Sequence, residues 1–426
     1  KDNNSFLKID LMNSDTSIFL TKSDFKLNKK NLNIVKGTSE QAPWREDFTP
    51  RTFWFDDKGE KILFFVNREK IWRRSFYASY YVMDLKTKNI ISVSKVNKKL
   101  RNAKFSPDGT KVAYVREDNN IYVYDLIKLK EKKLTSNGSK VLLNGHLGWV
   151  YEEEFGSFDG YRWSPDSKNI AYWEENQSNV PLFKMFDEIS LYPTIKEIHY
   201  PKAGEINPTM SIFVVNVKRG NRKKMSIGDN HDTYYPWIKW TNNSALKVMR
   251  MNRLQNHWDL LNVSIKNGKS NKGLSESDPK GWVELHRNYF FLKDDKILWL
   301  SERSGWHHIY IHNSKGEKIR QLTSGKWEVK RIIKVDESNN KIFFTANKES
   351  VFETKFYSVN FDGSNLTLLT NEPGSHSVKI LPNGDAFIDS YSSLVSPGKH
   401  VLKNMDGDVI NVISETSKSQ FDLYDW

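Results

Sequence analysis

The feature that most constrains the fold is a turn motif that recurs along the chain. "FSPDGTKVAYV" from Phe105 and "WSPDSKNIAYW" from Trp163 share an aromatic residue, a Ser-Pro-Asp turn and a strand of alternating apolar residues. Because proline fixes φ and the Asp side chain bonds back to the backbone, each copy predicts a turn followed by a half-buried strand. Five weaker copies begin at Phe53, Trp240, Phe291, Val335 and Leu381.

A second strand with its own polar turn follows each motif, as in "IYVYDLIKLK" and "FVVNVKRGN". Each unit therefore reads as three or four antiparallel strands, and four short strands in roughly 40 to 50 residues are typical of a β-propeller blade. We predict an all-β chain in which residues 1–426 form a single β-propeller domain with four-stranded antiparallel blades. A pair of β-sandwiches would not explain why the same turn recurs.

The repeat alone does not decide whether the propeller has seven or eight blades. Seven signatures are visible, and the stretch from Phe6 to Val35 has strand-like runs without the turn, so it fits a divergent eighth blade. Closing a ring removes exposed sheet edges, so we also expect the first strands to meet the last blade.

Two intervals, about 126–162 and 174–212, are too long for a plain blade. Insertions on a rigid repeat scaffold are where binding residues tend to lie. The first insertion contains "WVYEEEF" at 149–155, in which three carboxylates lie between aromatic residues. We expect a short helix near Tyr151 to Phe155.

Composition excludes several classes of protein. The formal net charge is +13, but Lys and Arg are spread along the chain, so a nucleic-acid partner is not predicted. The absence of cysteine excludes disulfides and thiolate chemistry. No apolar stretch is long enough to span a bilayer, so we expect a soluble chain whose signal or anchor segment was removed before residue 1.

Catalytic and cofactor motifs are missing from the sequence. No G-x-S-x-G string occurs, and in "GSFDG" at Gly156 the Ser is in the wrong place for a nucleophile. No His-rich metal motif or phosphate-binding loop is present, so no metal and no cofactor are predicted. The chain by itself is predicted to be inactive.

Several uncommon strings occur together: "WRRSFYASYYVMDL" from Trp72, then "WVYEEEF", "WSPDSKNIAYWEENQSNVPLF" and "YPKAGEINPT". In this order the chain resembles the N-terminal β-propeller of the dipeptidyl peptidase IV family of serine exopeptidases. The resemblance implies an eight-bladed propeller that gates substrate entry to an α/β-hydrolase domain beyond Trp426. It also implies release of dipeptides from peptide N-termini. Because the chain has no cysteine, we expect a bacterial protein that is periplasmic or otherwise exported.

The resemblance implies three site residues. Glu153 and Glu154 correspond to the family's pair that holds the substrate's N-terminal amine, and Arg73 to the arginine that contacts this pair and the first substrate carbonyl. Glu152 receives no such role. The chemistry is plausible because an ammonium group has three donors and no acceptor, so two carboxylates can neutralise it.

Two further expectations concern partners. The family's projecting arm corresponds to residues 183–200, which implies a homodimer. The alternative reading of the whole chain is a stand-alone, non-catalytic propeller whose acidic cluster binds a cationic ligand or a protein surface.

Overall fold

The computed structural model describes residues 5–25, 52–96, 98–189, 191–228, 232–285, 288–417 and 419. Within these ranges the regular structure comprises thirty-four strands, one α-helix and one 3-10 helix. Contacts divide the described residues into two compact units. Unit 1 lies within Thr21–Val283, and unit 2 combines Ser5–Leu20 with the residues from Glu284 onward.

The chain begins with a two-stranded hairpin. Its strands are β1 (Ser5–Ile9) and β2 (Thr16–Thr21), and a 3-10 helix follows at Lys22–Phe25. This hairpin covers the first part of the stretch that fits a divergent blade. Residues 26–35 of that stretch lie outside the described residues, and the count of eight blades stays a prediction.

Unit 1 contains four antiparallel sheets of four or five strands. The first two sheets are β3 (Phe53–Phe55), β4 (Lys61–Lys70), β5 (Phe76–Asp84) and β6 (Ile90–Ser92), then β7 (Arg101–Phe105), β8 (Lys111–Val115), β9 (Ile121–Asp125) and β10 (Lys130–Lys133).

The third sheet of unit 1 carries both insertions. Its strands, with the inserted helix and hairpin in chain order, are β11 (Leu142–Asn144), α1 (Trp149–Phe155), β12 (Tyr161–Trp163), β13 (Asn169–Asn176), the hairpin strands β14 (Leu182–Asp187) and β15 (Thr194–His199), β16 (Thr209–Asn216) and β17 (Arg222–Lys224). The hairpin β14–β15 pairs only with itself. The fourth sheet consists of β18 (Thr233–Tyr234), β19 (Ile238–Asn242), β20 (Ala245–Asn252), β21 (His257–Ser264) and β22 (Ser270–Ser277).

Unit 2 contains three four-stranded antiparallel sheets. They are β23 (Phe290–Phe291), β24 (Ile297–Ser301), β25 (His308–His312) and β26 (Lys318–Gln321), then β27 (Val329–Asp336), β28 (Lys341–Ala346), β29 (Lys355–Asn360) and β30 (Thr367–Leu368), then β31 (Ser375–Ile380), β32 (Ala386–Ser393), β33 (Ser396–Asn404) and β34 (Val409–Glu415). The N-terminal hairpin meets the last of these sheets, because Asn411 Nδ2 donates to the Leu11 carbonyl at 3.0 Å. The predicted meeting of first strands and last blade therefore holds at this point of unit 2.

The Ser-Pro-Asp turn connects the first two strands of a sheet and also reaches the next sheet. Ser106 N donates to the Lys111 carbonyl at 2.8 Å, and Ser106 Oγ donates to Asp108 Oδ1 at 2.5 Å. The Asp108 N–H in turn donates to Ser167 Oγ of the following copy at 3.0 Å. In these two copies the motif therefore forms a hairpin and also links two consecutive sheets of unit 1.

The core consists of apolar side chains from the facing surfaces of consecutive sheets. In unit 1, Leu63, Tyr80 and Val82 of one sheet pack with Val112 and Tyr114 of the next. Such face-to-face packing of antiparallel sheets, with all seven turn motifs falling in separate sheets, confirms the all-β, β-propeller prediction.

Candidate amine-binding site

Helix α1 is short because glycine bounds it at both ends. Gly148 is the extended N-cap residue, and Gly156 ends the helix in the left-handed region at φ 59°. Tyr151 anchors the helix, since its buried hydroxyl accepts the Tyr235 N–H at 3.0 Å. The predicted helix near Tyr151 to Phe155 is confirmed, and it begins two residues earlier, at Trp149.

The three consecutive glutamates of α1 have different surroundings. Successive helical residues point about 100° apart, so a triplet cannot share one environment. Glu152 is fully buried, Glu153 is half-buried and Glu154 is exposed. The two glutamates that the sequence assigns to the amine are therefore the accessible ones.

Arg73 lies beside Glu153, as the sequence predicts. It belongs to the loop of residues 71–75 between β4 and β5, and its Nη2 is 3.6 Å from Glu153 Oε2. The Arg73 side chain is 72% exposed and that of Glu153 27% exposed. Such an exposed ion pair contributes about 0 to 1 kcal/mol, so it offsets the carboxylate charge without committing Glu153 to Arg73 alone.

Glu154 has a different partner from Glu153. Gln255 Nε2, in the turn between β20 and β21, donates to Glu154 Oε1 at 2.5 Å. The structure therefore brings Arg73, Glu153 and Glu154 to one small region of unit 1, although the two segments are far apart in sequence. Their role in binding substrate stays a prediction.

Beneath the helix N-terminus lies a carboxylate that the sequence reasoning missed. The fully buried Glu175 of β13 accepts the Gly148 N–H at 2.8 Å and the Gln177 side-chain N–H at 2.7 Å. Burial raises the pKa of Glu175 to about 6, and these two hydrogen bonds oppose the rise. Alternation along β13 places Glu175 on the same face as the buried Ala171 and Trp173, and this was the available signal.

Replacing Glu175 by Gln should flatten the pH dependence of stability of unit 1. Folding raises the pKa of Glu175 above its ordinary 4.5, so the folded state favours the protonated side chain. This contribution to the free energy of unfolding is full below pH 4.5 and is lost as pH rises through about 6. A rise of this size corresponds to about 2 kcal/mol. Hydrogen exchange of β13 amides at pH 4.5 and 6.5 measures the difference, and an equal pH dependence in both proteins would contradict the assignment.

The hairpin β14–β15, here called the arm, borders the site on two sides. Lys196 Nζ lies 4.6 Å from the ring centroid of Trp72, next to Arg73. Tyr200, just past the arm, packs on Trp149 at 4.3 Å between ring centroids. The outer end of the arm exposes Ile189, Leu191 and Tyr192, each at least 80% accessible.

A separate cluster in unit 2 has groups with metal-ligand spacing. The ligand atoms of Glu372, His376 and Asp389 lie within 4.8 Å of one another. Lys403 Nζ already contacts both Glu372 oxygens at 2.7 Å and Asp389 Oδ2 at 3.2 Å. We therefore assign the cluster to an internal charge network.

The chain is a β-propeller of turn-linked antiparallel sheets, with Arg73 beside Glu153 of the inserted helix. The family described as the dipeptidyl peptidase IV (DPP IV) N-terminal region matches residues 56–398, so the chain belongs to this family. No helix in the described ranges is long and apolar enough to cross a membrane.

Curated relatives include dipeptidyl peptidase 4 of Trichophyton rubrum, 29% identical over 396 residues, which are 88% of this chain and 50% of the relative. Another is a probable dipeptidyl-aminopeptidase B of Metarhizium robertsii, also 29% identical, over 90% of this chain and 47% of the relative. The chain thus spans about half the length of the curated relatives it matches.

Among solved structures, the crystal structure of Porphyromonas gingivalis dipeptidyl peptidase 4 is similar over 99% of this chain and 58% of its own. Its TM-score is 0.86 and its sequence identity 28%. A putative dipeptidyl aminopeptidase IV from Bacteroides ovatus has a TM-score of 0.71 at 20% identity, over 97% of this chain and 58% of its own, and supports the fold alone.

Proposed function

We propose that this chain is the substrate-gating, amine-binding propeller of a serine exopeptidase that releases dipeptides from peptide N-termini. The observation that carries the proposal is the placement of Arg73 at 3.6 Å from Glu153, with Glu154 the next residue of the same helix. A free peptide N-terminus is a cation below about pH 8, so it can pair with both carboxylates. Arg73 is then available to donate to the first peptide carbonyl.

Anchoring the amine selects the bond to be cleaved by distance. When a peptide is held at its N-terminal nitrogen, a nucleophile at a fixed position can reach only one of its peptide bonds. If that bond is the second from the N-terminus, its cleavage releases a dipeptide. In the proposal an α/β-hydrolase domain beyond Trp426 supplies that nucleophile. The lengths of the curated relatives, about twice the matched region, support a further domain.

The test of amine binding uses two peptides that differ only at the N-terminus. Ala-Pro amide should bind the 426-residue chain measurably in calorimetry, and its N-acetyl counterpart should not, because acetylation removes the charge and the donors. Equal binding of the two peptides would contradict the proposal. It would favour the stand-alone propeller that binds other cations or proteins.

Hydrolysis is expected to need the additional domain. The purified chain should not cleave an Xaa-Pro chromogenic dipeptide above background, because the sequence lacks a nucleophile elbow. Turnover that a serine-directed inhibitor abolishes would contradict this prediction. Reading the source gene past the codon for Trp426 gives an independent check, since an in-frame G-x-S-x-G followed by Asp and His is expected.

The proposal also includes a homodimer through residues 183–200 and a bacterial periplasmic location. The exposed apolar end of the arm, with Ile189 98% accessible, supports the dimer, because such side chains are typical of interface cores. Likeness to the P. gingivalis structure supports a bacterial source. Sedimentation of the purified chain and fractionation of source cells test the two statements separately.

A further inference from the structure

We propose that Glu152, the first glutamate of the triplet, is a positioning residue that holds Arg73 against Glu153. This inference rests on the proposed function, because Arg73 and Glu153 are the groups it positions. Glu152 itself is fully buried and would not touch the substrate.

Glu152 binds the backbone of the loop that carries Arg73. Its Oε1 accepts the Arg74 N–H at 2.6 Å and the Ser75 N–H at 2.9 Å. Hydrogen bonds to a charged acceptor are stronger than those between neutral groups. The two residues that follow Arg73 are therefore fixed directly to the helix that carries Glu153.

Arg74 adds a second link between the loop and the helix. Its Nη1 donates to the Glu152 carbonyl at 3.4 Å, and its guanidinium carbon lies 3.6 Å from where a Cβ would stand on Gly156. A cation at a helix C-terminus is favourable, so this position of Arg74 stabilises the end of α1. Arg73 is left as the arginine of this pair that reaches Glu153.

The charge of Glu152 has a separate effect on the core. The buried Arg101 has its pKa lowered mainly by burial, and the negative charge of Glu152 opposes that change. Among the described residues Glu152 Oε2 has no hydrogen-bond partner. Charge and hydrogen bonding can therefore be tested separately, because only Oε1 contacts the loop.

The test compares Glu152→Gln with Glu152→Met in the 426-residue chain. Both variants remove the charge near Arg101 and nearly conserve volume, but only Gln keeps an acceptor for the two N–H groups. We expect Glu152→Met to lower the affinity for Ala-Pro amide about tenfold, and Glu152→Gln less than about threefold. Equal losses would show that charge or stability alone is involved and would overturn the proposal.

A double-mutant cycle shows whether the effect passes through Arg73. In an Arg73→Met background, Glu152→Met should lower the affinity by less than about twofold, because the positioned group is already absent. The full tenfold loss in that background would overturn the proposal. Should Glu152→Met not fold, Glu152→Asp keeps the charge but withdraws the carboxylate by about 1.5 Å. Its affinity should still fall, and wild-type affinity in Glu152→Asp would overturn the proposal.

Failure of the proposed function gives a different result. If the wild-type chain does not distinguish Ala-Pro amide from its N-acetyl form, amine binding is wrong, and the positioning role is then decided without a peptide. Hydrogen exchange should show that Arg74 and Ser75 amides lose protection in Glu152→Met but keep it in Glu152→Gln. A crystal structure of Glu152→Met with the Arg73 and Glu153 pair unchanged would contradict the positioning role.

Discussion

In a protein that joins this chain to the proposed hydrolase domain, replacing Glu153 by Gln is expected to lower kcat/KM for substrates with a free N-terminus. The loss should correspond to about 2–5 kcal/mol of transition-state stabilisation, the range for removing one partner of a desolvated charge pair. Gln keeps the shape of the side chain and removes the charge that the ammonium requires. In the present chain Glu153 is half-buried beside the exposed Arg73. In the 426-residue chain, the loss of binding free energy for Ala-Pro amide should therefore lie below that range, because solvent screens the pair.

The control for Glu153→Gln is Glu117→Gln. Glu117 also pairs with a cation, Lys99 at 2.8 Å, but it is 62% exposed and has no proposed role. Its replacement should leave kcat/KM unchanged. Glu153→Gln should also leave an N-acetylated substrate at its already low rate, and an equal loss for both substrates would point to a folding defect.

Replacing Lys403 by Met is expected to destabilise unit 2 by about 3–5 kcal/mol, the cost of leaving a buried charge without its partner. Lys403 Nζ is within 3.2 Å of Asp389 Oδ2, and both side chains are buried in the last sheet. His376 Nδ1 also lies 2.9 Å from the Asp389 carboxylate, so Asp389 keeps one hydrogen-bond partner in Lys403→Met. Glu372 loses the lysine that contacts both of its oxygens.

Hydrogen exchange of the β32 amides measures this loss for unit 2 alone. A chain with two compact units need not unfold in one transition, so a single global value would be ambiguous. The matched control is Lys399→Met on the same strand, since Lys399 pairs with Glu415 at 3.3 Å near the surface. That change should cost less than about 1 kcal/mol, and similar losses for both lysines would contradict the network.

The repeat made the fold predictable because each turn is a local structure. Proline, Asp and the following alternation specify a hairpin within a dozen residues, and the Ser106 to Lys111 hydrogen bond forms within that distance. A short helix near Tyr151 was expected within the insertion. The pairing of Arg73 with Glu153 came from the resemblance, since nothing local connects residues 80 apart.

The role of Glu152 could not be derived in the same way. Three consecutive glutamates do not show which side of helix α1 faces the protein interior. The buried member of the triplet therefore could not be identified from the sequence. The contacts of Glu152 with Arg74 and Ser75 depend on the tertiary structure, because they join segments 77 and 78 residues apart. The arm was expected as an exposed mixture of aromatic and charged residues, and its pairing as the hairpin β14–β15 appeared only in the structure.

A crystal structure of the 426-residue chain with Ala-Pro amide would show directly whether Glu153 and Glu154 together bind a peptide N-terminus. We expect the ammonium nitrogen at about 2.7–2.9 Å from a carboxylate oxygen of each glutamate, with Arg73 facing the first carbonyl. A peptide bound elsewhere, or one whose amine points to solvent while Glu153 keeps Arg73 as its partner, would contradict this expectation.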